Sequence, residues 1–490
     1  MNLEQYFEPF RKGIIGHLHP FNTPFGEKQI HYFDWVASGR LYAPLEEKMR
    51  SDFGPFVANT HTESNWTGQF MTRSYKHAHH IIKKHVNANE QDVIITQGTG
   101  MTGVINKLQR LLCLKYPEHF DKKELALEDK PVVFITHMEH HSNHTSWIET
   151  IGDVVVIPPN EEGLIDLQAF DQLLQRYKAR KRKIGAFSAC SNVSGIQTPY
   201  HTLARMMHIH NGIAIIDFAA SAPYVSINMH PDDPLEKLDA IVFSPHKFLG
   251  GPGTSGVLIF DSNLYQNQIP DQPGGGTVTW TNPWGGRGYI RNIEEREDGG
   301  TPGFLQTIRT ALCIELKEAM GVEQMERREE ELLDLLFTRL SQIDKVKIMA
   351  DQHTKRLPIV SFFVEGIHFN LIVRLLNDLY GIQVRGGCSC AGTYGHYLLN
   401  IDEETSHSIS SQIDLGGLVA KPGWIRVSLH PTMQDKDVLY FISSLREIIE
   451  NIEELSVQYE HVPQLNDYHH IDQKNLDLSP YFSFSQEKGK

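Results

Sequence analysis

Residues 239–260 read DAIVFSPHKFLGGPGTSGVLIF, two short apolar runs around a glycine-rich turn. Both runs are apolar throughout rather than alternating, which is typical of strands covered on both faces. Lys247 follows the first predicted strand directly. A lysine in such a place can lose its proton and attack a carbonyl carbon to form a Schiff base. The stretch therefore predicts a buried strand of the core and, just after that strand, a reactive amine.

Runs of the same kind recur upstream and alternate with segments of helical period. They are DVIIT at 92–96, VVFIT at 132–136, DVVVI at 153–157, IGAFS at 184–188 and IAIIDF at 213–218. This alternation predicts an α/β fold with a seven-stranded, mostly parallel sheet. Ligands of such sheets bind beyond the carboxyl ends of the strands, so the residues that follow each run form the candidate site.

A smaller region follows a long helical stretch at 306–343. Its runs VKIMA, PIVSFFV, IQVR and WIRVSL, with a helical segment near 434–453, predict a small α+β domain. We therefore expect four parts along the chain: an N-terminal segment (1–30) that packs on the small domain, a large α/β domain (31–320), the small domain (321–460) and a loosely held tail (461–490).

The chain carries 46 basic and 60 acidic residues among 490, a net charge of −14. This charge argues against binding to nucleic acid or to an anionic membrane. No stretch approaches the ~18 uninterrupted apolar residues of a spanning helix, and the start, MNLEQYFEPFRKG, lacks an apolar signal core. We expect a cytoplasmic protein. The five cysteines are an odd number in a large chain, which argues against a disulfide framework.

Three further strand ends carry polar residues. The turn QGTGMTG after the first run offers backbone N–H groups and the hydroxyls of Thr99 and Thr102 to a phosphate, although a tight turn needs the same glycines. Asn192, after the fourth run, is either a ligand donor or a turn residue. Asp217 lies at the end of the fifth run, where a buried carboxylate needs a cation such as a protonated ring nitrogen of a cofactor.

Lys247, Asp217 and the turn together describe a site for pyridoxal phosphate (PLP). In this hypothesis the lysine forms the imine and the aspartate holds the ring nitrogen. The turn at 98–102 binds the phosphate together with Ser244 and His246.

The histidine-rich segment HMEHHSNHTSW admits two hypotheses. One uses a single imidazole as a flat surface beside a cofactor. The other is a metal-dependent hydrolase with ligands drawn from His137, Glu139, His140 and His144. Zinc ligands must converge on one point, whereas the adjacent His140 and His141 diverge on most backbones, and the HExxH spacing is missing. The pattern favours the single imidazole.

Several segments carry a family resemblance. They are, in order, MEHH with Asn143, SNVSG, DFAASAP, SPHKFLGGPGTSG, PGGGTV, GGTP and RGGCSCAG. Over about residues 30–450 the chain resembles the class V aminotransferase-like family of PLP-dependent enzymes, fold type I, most closely its cysteine desulfurase and selenocysteine lyase branch. The resemblance implies an aspartate aminotransferase-like fold, with a large sheet domain and a small C-terminal α+β domain.

By this resemblance each candidate has a role at the cofactor. His140 would stack on the pyridine ring and handle protons, Asp217 would hold the ring nitrogen, and Lys247 would carry the cofactor and move the proton at the substrate Cα. Asn192 would lie near the phenolic oxygen or the substrate. The phosphate would be held by Thr99, the amide of Gly100, Ser244, His246 and, across a dimer interface, Thr301. The resemblance thus implies a homodimer with shared active sites.

The substrate side is predicted from the C-terminal part. Arg426 resembles the arginine that clamps the carboxylate of an amino-acid substrate, and Arg385 is a second candidate. Cys390 stands where relatives that remove sulfur place their nucleophile, so its thiolate would acquire a persulfide as alanine leaves. Cys388 would substitute for it, resolve the persulfide or be passive. We expect the remaining cysteines to pack in the core: Cys113, Cys190 and Cys313.

We therefore expect a cysteine desulfurase-like enzyme that passes sulfur to an acceptor protein. The open alternative is a class V aminotransferase, epimerase or other PLP lyase whose cysteines are non-catalytic. Two departures from the family pattern keep it open. DFAA at 217–220 lacks the glutamine of the DxxQ pattern, so the bond to the phenolic oxygen is absent or comes from Ser221 or Asn192. The segment from Cys390 to Arg426 is also longer than in typical desulfurases.

Overall fold

A computed structural model of the chain describes residues 2–119, 125–418 and 421–483. Its N-terminal part consists of short elements followed by one long helix. These are α1 (Leu3–Tyr6), α2 (Glu8–Lys12), β1 (Pro20–Thr23), β2 (Gly26–Gln29), β3 (His31–Tyr32), α3 (Ala43–Lys48) and α4 (Trp66–His85). β1 and β2 form an antiparallel hairpin. None of the helices in the described ranges combines the length and the hydropathy of a membrane-spanning segment.

The apolar runs form one seven-stranded sheet, which confirms the α/β prediction. Its elements in chain order are β4 (Asp92–Gln97), α5 (Met101–Leu111), β5 (Val132–Thr136), α6 (His141–Ile148), β6 (Asp153–Ile157), α7 (Leu167–Arg176), β7 (Lys183–Ser188), α8 (Tyr200–Ile209), β8 (Ile213–Asp217), β9 (Ala240–Phe243) and β10 (Gly256–Asp261). The strand order is β4-β10-β9-β8-β7-β5-β6. Only the pairs that involve β10 are antiparallel. The other strands therefore all end at one edge of the sheet.

Complete burial explains why these strands show no alternating pattern. Every residue of β5 and of β7 is buried, because apolar clusters cover both faces of the sheet. β10 approaches the turn after β4 so closely that a Cβ on Gly256 would lie 2.4 Å from the carbonyl oxygen of Gly100. Position 256 therefore requires glycine.

A hairpin and three helices lead from this sheet to the C-terminal part. They are β11 (Val278–Thr281), β12 (Arg287–Tyr289), α9 (Ile293–Glu297), α10 (Phe304–Met320) and α11 (Val322–Leu340). The sequence predicts one continuous helix over 306–343, but the structure divides it into α10 and α11. The division lies at Gly321, whose φ of 77° is outside the helical region.

The C-terminal part contains a four-stranded antiparallel sheet, with strand order β13-β14-β17-β16. The elements are β13 (Val346–Ile348), β14 (Ile359–Val364), α12 (Phe369–Tyr380), β15 (Ile382–Gln383), β16 (Arg385–Gly387), α13 (Gly392–Leu398), α14 (Glu403–Asp414), β17 (Trp424–Ser428), α15 (Asp435–Glu450), α16 (Ile452–Ser456), β18 (Tyr459–Val462) and β19 (Asp467–His470). The predicted strand IQVR is thus two strands, of which β15 pairs with β3 instead.

The N-terminal segment packs on the C-terminal part of the chain. The Thr23 hydroxyl donates a hydrogen bond to the Asp378 carbonyl at 2.8 Å, and the Asp435 N–H donates to Glu4 Oε2 at 3.0 Å. Directly after this segment, β3 pairs in parallel with β15. The Ser428 N–H donates to the Phe33 carbonyl at 2.7 Å. These contacts hold residues 33–38 between the two sheets, beside the cavity described below.

Part of the predicted tail is regular structure. β18 and β19 form an antiparallel hairpin, and β19 packs against α12. The Tyr459 hydroxyl donates to a carboxylate oxygen of Asp378 at 2.9 Å. The sequence alone missed this hairpin because its polar and histidine-rich residues lack the apolar pattern of a core strand.

Candidate active site

A cavity of about 680 Å³ lies at the edge where the parallel strands end. The residues that line it include eleven that the sequence predicted: Thr99, Gly100, His140, Asn192, Asp217, Ser244, His246, Lys247, Arg385, Cys390 and Arg426. The first eight of these residues, Thr99 to Lys247, belong to the sheet domain. Arg385 lies in β16, Cys390 in the loop after β16, and Arg426 in β17. The cavity therefore lies between the two sheets, as ligand sites of open α/β sheets do.

Asp217 is the last residue of β8, and Lys247 follows the neighbouring strand β9. Asp217 is only 5% exposed and accepts a hydrogen bond from the Ala219 N–H at 2.8 Å. Burial raises the pKa of Asp217 and lowers the pKa of Lys247, while the attraction between their charges opposes both shifts. Lys247 forms no ion pair with any residue in the described part of the chain. The pair therefore combines a buried acid with an amine that loses its proton readily.

His140 lines the cavity at the N-terminus of α6. Its Nδ1 accepts a hydrogen bond from the Ser142 N–H at 3.1 Å and so caps the helix. Burial, with the nearby charge of Lys247, lowers the pKa of His140 to about 3. An imidazole that accepts at Nδ1 and has this pKa is neutral, with its proton on Nε2. His140 therefore offers a neutral ring to the cavity.

The turn after β4 lies against the segment after β9. The Met101 N–H donates to Ser244 Oγ at 2.8 Å, and His246 Nδ1 donates to the Thr99 carbonyl at 2.9 Å. A Cβ on Gly100 would lie only 3.1 Å from the His246 ring. These contacts gather hydroxyls, an imidazole and the N-terminus of α5 in one place, which favours binding of a phosphate.

Glu139 is a structural acid outside the cavity lining. It is 1% exposed, and it accepts hydrogen bonds from the backbone and hydroxyl of Thr136, the same two groups of Ser188, and the amide of Asn143. Burial raises the pKa of Glu139 and these hydrogen bonds oppose the rise. The carboxylate thus ties β5, β7 and α6 together rather than serving as a metal ligand.

The other histidines of this segment also have separate partners. His137 Nε2 faces the Gly163 carbonyl at 3.1 Å, and His144 Nδ1 faces Thr393 Oγ1 at 3.0 Å. His140 faces the cavity instead. Among the residues that the structure describes, no three histidine, cysteine or acidic side chains converge as metal ligands would. The geometry therefore gives the metal-hydrolase hypothesis no support.

Asn192 connects the cavity with the loop that carries Cys390. Its Nδ2 donates to the Ser389 carbonyl at 2.8 Å, and this acceptor fixes which end of the amide is nitrogen. Its Oδ1 is buried without a partner among the described residues. Ser221, the other residue expected to replace the family's glutamine, does not line the cavity. Asn192 is therefore the one of the two that can contact a ligand there.

Arg426 and Arg385 share one carboxylate, that of Asp34. Arg426 Nη2 donates to Asp34 Oδ1 at 2.8 Å, and Arg385 Nε donates to Asp34 Oδ2 at 2.9 Å. Arg426 Nε is buried without a partner in the described structure. Burial lowers the pKa of Arg426 and Asp34 opposes the shift. Sequence reasoning missed Asp34, because a single acid in HYFDWV belongs to no motif.

Of the two cysteines in the loop after β16, only Cys390 lines the cavity. Cys390 is exposed, whereas Cys388 is half-buried and packs against the apolar core. Only Cys390, which the resemblance assigns as the nucleophile, is therefore exposed to the cavity.

The remaining three cysteines differ from one another. Cys313 and Cys190 are buried, as expected for packing residues, although Cys190 also lines the cavity. Burial raises the pKa of both thiols far above the ordinary value. The expectation is wrong for Cys113, which is exposed and donates to Asn267 Oδ1 at 3.2 Å. Cys113 follows α5 with a φ of 56°, so the turn carries it out of the apolar face of the helix.

Two predicted features lie away from the cavity. Thr301 is exposed and does not line it, so its predicted contact with a phosphate across a dimer interface stays a prediction. The long segment between Cys390 and Arg426 forms α13 and α14. α13 packs on the histidine-rich segment through ring contacts of Tyr394 and Tyr397 with His137, whereas no residue of α14 is buried.

Residues 31–441 match the model of the Aminotransferase class-V family. The chain belongs to this family. Two curated relatives are probable cysteine desulfurases. The one from Halalkalibacterium halodurans is 27% identical over 365 residues, which cover 74% of this chain and 84% of the relative. The one from Staphylococcus aureus is 25% identical over 369 residues, with the same two coverages.

Solved structures show the same fold. The apo cysteine desulfurase of Thermococcus onnurineus has a TM-score of 0.69 at 22% identity and covers 86% of this chain and 94% of its own. The cysteine desulfurase CsdA of Escherichia coli has a TM-score of 0.70 at 21% identity and covers 92% and 99%. This class V chain therefore has the predicted PLP-dependent fold of type I.

Class V enzymes use PLP, so this chain is a PLP-dependent enzyme. The residues of the cavity fit the cofactor. Asp217 is a buried carboxylate without a cationic partner within bonding distance, and Asn192 Oδ1 is a buried acceptor without a donor among the described residues. Lys247 is an amine without an ion-pair partner among the described residues. Buried polar groups are normally paired, and a ligand with a ring cation and a carbonyl carbon would pair these.

Proposed function

We propose that this enzyme is a cysteine desulfurase-like lyase, which converts cysteine to alanine and leaves a persulfide on Cys390. The observation that carries the proposal is that Cys390 lines the same cavity as Lys247 and Asp217. An exposed thiol beside a PLP site can act as a nucleophile toward a bound amino acid. The relatives named probable cysteine desulfurases support the same reaction.

Three side chains handle the cofactor in this proposal. PLP supplies an electron sink for the electron pair at the substrate Cα. Lys247 holds the cofactor and moves the proton at the substrate Cα, which suits an amine whose pKa is lowered by burial. Asp217 binds the protonated ring nitrogen of the cofactor, because a buried carboxylate is stabilised by a cation. His140 presents its neutral ring to the pyridine.

The anionic groups of cofactor and substrate bind at different residues. The phosphate binds the turn after β4 and the segment after β9, through Thr99, Gly100, Ser244 and His246. The substrate carboxylate binds beside Arg426 and Arg385. Their two positive charges face one negative charge, that of Asp34, so one positive charge remains for one carboxylate. Arg426 Nε is the buried donor that is available for it.

The sulfur transfer is a nucleophilic displacement at sulfur. The thiolate of Cys390 attacks the sulfur of the bound cysteine, and an S–S bond forms. The bond between that sulfur and the substrate Cβ breaks, and the carbon skeleton leaves as alanine once it is protonated. Cysteine and a protein thiol thus become alanine and a protein persulfide, without an external oxidant or reductant. An acceptor protein with its own thiol then takes the outer sulfur.

The proposal extends to the assembly and location of the enzyme. We propose a cytoplasmic homodimer with shared active sites, in which Thr301 of one chain contacts the phosphate bound by the other. The exposure of Thr301 and its position outside the cavity of its own chain support this assignment. Cys388 takes no part in the first step, since it does not line the cavity.

The test is to incubate the purified holoenzyme with cysteine and a reductant and to measure alanine and sulfide. We expect both products from the wild type and from Cys113→Ala, because Cys113 is an exposed cysteine outside the cavity. Cys390→Ala should release neither above background while it retains the absorbance of bound PLP. Equal sulfide from the wild type and Cys390→Ala would contradict the proposal.

A second candidate is a class V aminotransferase, epimerase or other lyase whose cysteines are bystanders. Ala220 favours it, because this residue lines the cavity where the family's DxxQ pattern places glutamine. The spectrum of bound PLP, recorded after addition of each amino acid in turn, identifies the substrate. If the substrate is not cysteine, the double variant Cys388→Ala/Cys390→Ala should retain the wild-type turnover of it.

A further inference from the structure

The loop that carries Cys390 has an unusual backbone. Ser389 has a φ of 52° and Cys390 a φ of 56°. Residues with a Cβ seldom occupy this left-handed region, and two in succession are strained. Such a conformation persists only when neighbouring groups hold it in place.

His141 contacts the backbone of the loop at Cys390 and two residues beyond it. Its backbone N–H donates to the Cys390 carbonyl at 2.7 Å, and its Nε2 accepts a hydrogen bond from the Gly392 N–H at 2.9 Å. A nitrogen that accepts carries no proton, so the ring is neutral with its proton on Nδ1. The pKa of His141 is lowered by burial and by the charge of Lys421, which agrees with this state.

Two other side chains contact the loop at Ser389. Asn192 Nδ2 donates to the Ser389 carbonyl at 2.8 Å, and Trp424 Nε1 donates to Ser389 Oγ at 3.2 Å. Both contacts lie before Cys390 in the chain. Among the described residues, His141 alone is bonded to the backbone of both Cys390 and Gly392.

We propose that His141 is a positioning residue, which fixes the thiol of Cys390 relative to the ring of His140. The two histidines are adjacent at the start of α6. The helix that presents the neutral ring to the cofactor therefore also sets the place of the nucleophile. The proposal rests on the proposed role of Cys390, and it adds a residue whose side chain contacts neither cofactor nor substrate.

The test compares two substitutions of His141 with a control on the same helix. His141→Leu removes the acceptor for the Gly392 N–H, and His141→Gln keeps an acceptor oxygen at similar reach. The control is His144→Leu, since His144 contacts Thr393 Oγ1, which lies beyond Gly392 in the chain. Two measurements are made on each holoenzyme: the turnover of cysteine, and the rate at which iodoacetamide alkylates Cys390, read by site-resolved mass spectrometry.

We expect His141→Leu to lower kcat for sulfide formation about tenfold or more with little change in KM, because a nucleophile displaced by about 1 Å loses its alignment. The alkylation rate of Cys390 should rise about fivefold, since the loop is released. His141→Gln should restore both values to within about threefold of the wild type, and His144→Leu should match the wild type.

Three results decide between the positioning role of His141 and the proposed function. Wild-type alkylation and kcat in His141→Leu, with PLP bound, would overturn the positioning role. If the wild type itself makes no sulfide from cysteine, the proposed function fails, but the alkylation rates still test whether His141 holds the loop. An equal loss in His141→Leu and His141→Gln would also overturn the role, because the acceptor would then not matter.

Discussion

The guanidinium of Arg426 lies 2.8 Å from the carboxylate of Asp34, although 392 positions separate the two residues in the chain. Asp34 also accepts a hydrogen bond from Arg385. The two arginines that the sequence assigns to a substrate carboxylate are therefore already held by a carboxylate of the protein. This contact orients both guanidinium groups before a substrate arrives, and it lowers the net charge of the group to +1. Pre-orientation of this kind reduces the entropic cost of binding.

Asp34→Asn should destabilise the fold, because it leaves Arg426 buried without its counter-charge. Removal of one member of a buried ion pair costs about 3–5 kcal/mol. We expect the free energy of unfolding in urea at pH 7 to fall by about 3 kcal/mol. The control is Asp233→Asn, which breaks a pair with Arg205 whose side chains are 35% and 45% exposed. That variant should lose less than about 1 kcal/mol. An equal loss of unfolding free energy in the two variants would show that the ion pair of Asp34 stabilises the fold no more than an exposed pair does.

The sheet domain was predictable from the sequence because burial on both faces leaves a local signal. Runs such as VVFIT and IGAFS are apolar throughout, and β5 and β7 are buried at every position. Polar residues at the ends of such runs, among them Asp217 and Lys247, were predictable for the same reason. Parallel topology brings strand ends together whatever lies between them in the chain.

Contacts between distant segments left no such signal. Asp34 is 351 residues from Arg385, and nothing in the local pattern links them. The local pattern presents His141 only as a diverging neighbour of His140, because its contact with the Gly392 N–H spans 251 positions in the chain. The split of IQVR into β15 and β16 likewise depends on pairing with β3 and β17, which a local pattern does not contain.

Gly256→Ala should disrupt the phosphate turn. The added Cβ would lie 2.4 Å from the carbonyl oxygen of Gly100, which is backbone and has no rotamer to move aside. Overpacking of this kind costs about 1–3 kcal/mol. We expect a lower melting temperature and PLP affinity reduced at least about tenfold, as measured by fluorescence titration of the apoenzyme. Gly275→Ala is the matched control, since its Cβ would meet nothing within 4 Å. Normal PLP affinity in Gly256→Ala would show that the turn adjusts.

Lys247→Ala should lose the covalent bond to the cofactor while the fold is kept. Treatment with borohydride should attach PLP permanently to the wild-type chain, and peptide mass spectrometry should locate it at Lys247. The variant should show no attached PLP and no turnover of any amino acid. Lys237→Ala is the control, because Lys237 pairs with Asp239 and Asp261 away from the cavity. Attachment at another lysine in the wild type would refute the assignment of Lys247.

His430 should make the stability of the protein sensitive to acid. Its ring is 1% exposed and stacks on Trp35 with centroids 4.2 Å apart. Burial lowers the pKa of His430 to about 3, whereas a histidine in the unfolded chain has a pKa near ~6.5. Below about pH 6.5 the His430 ring is therefore protonated in the unfolded chain but stays neutral in the folded chain. The free energy of unfolding thus falls as the pH falls. One such group contributes a slope of about 1.4 kcal/mol per pH unit.

The measurement compares the free energy of unfolding at pH 7 and pH 5 in the wild type and in His430→Gln. Glutamine stays neutral at pH 7 and at pH 5. Between these two pH values the free energy of unfolding should therefore fall by about 2 kcal/mol less in the variant than in the wild type, whatever the stability of the variant at pH 7. His407→Gln is the control, because the His407 side chain is 78% exposed and should leave the difference unchanged. The same acid sensitivity in His430→Gln and in the wild type would mean that the ring of His430 takes up a proton without unfolding. In that case the stack on Trp35 must open to water at pH 5, since the buried site offers no counter-charge to an imidazolium.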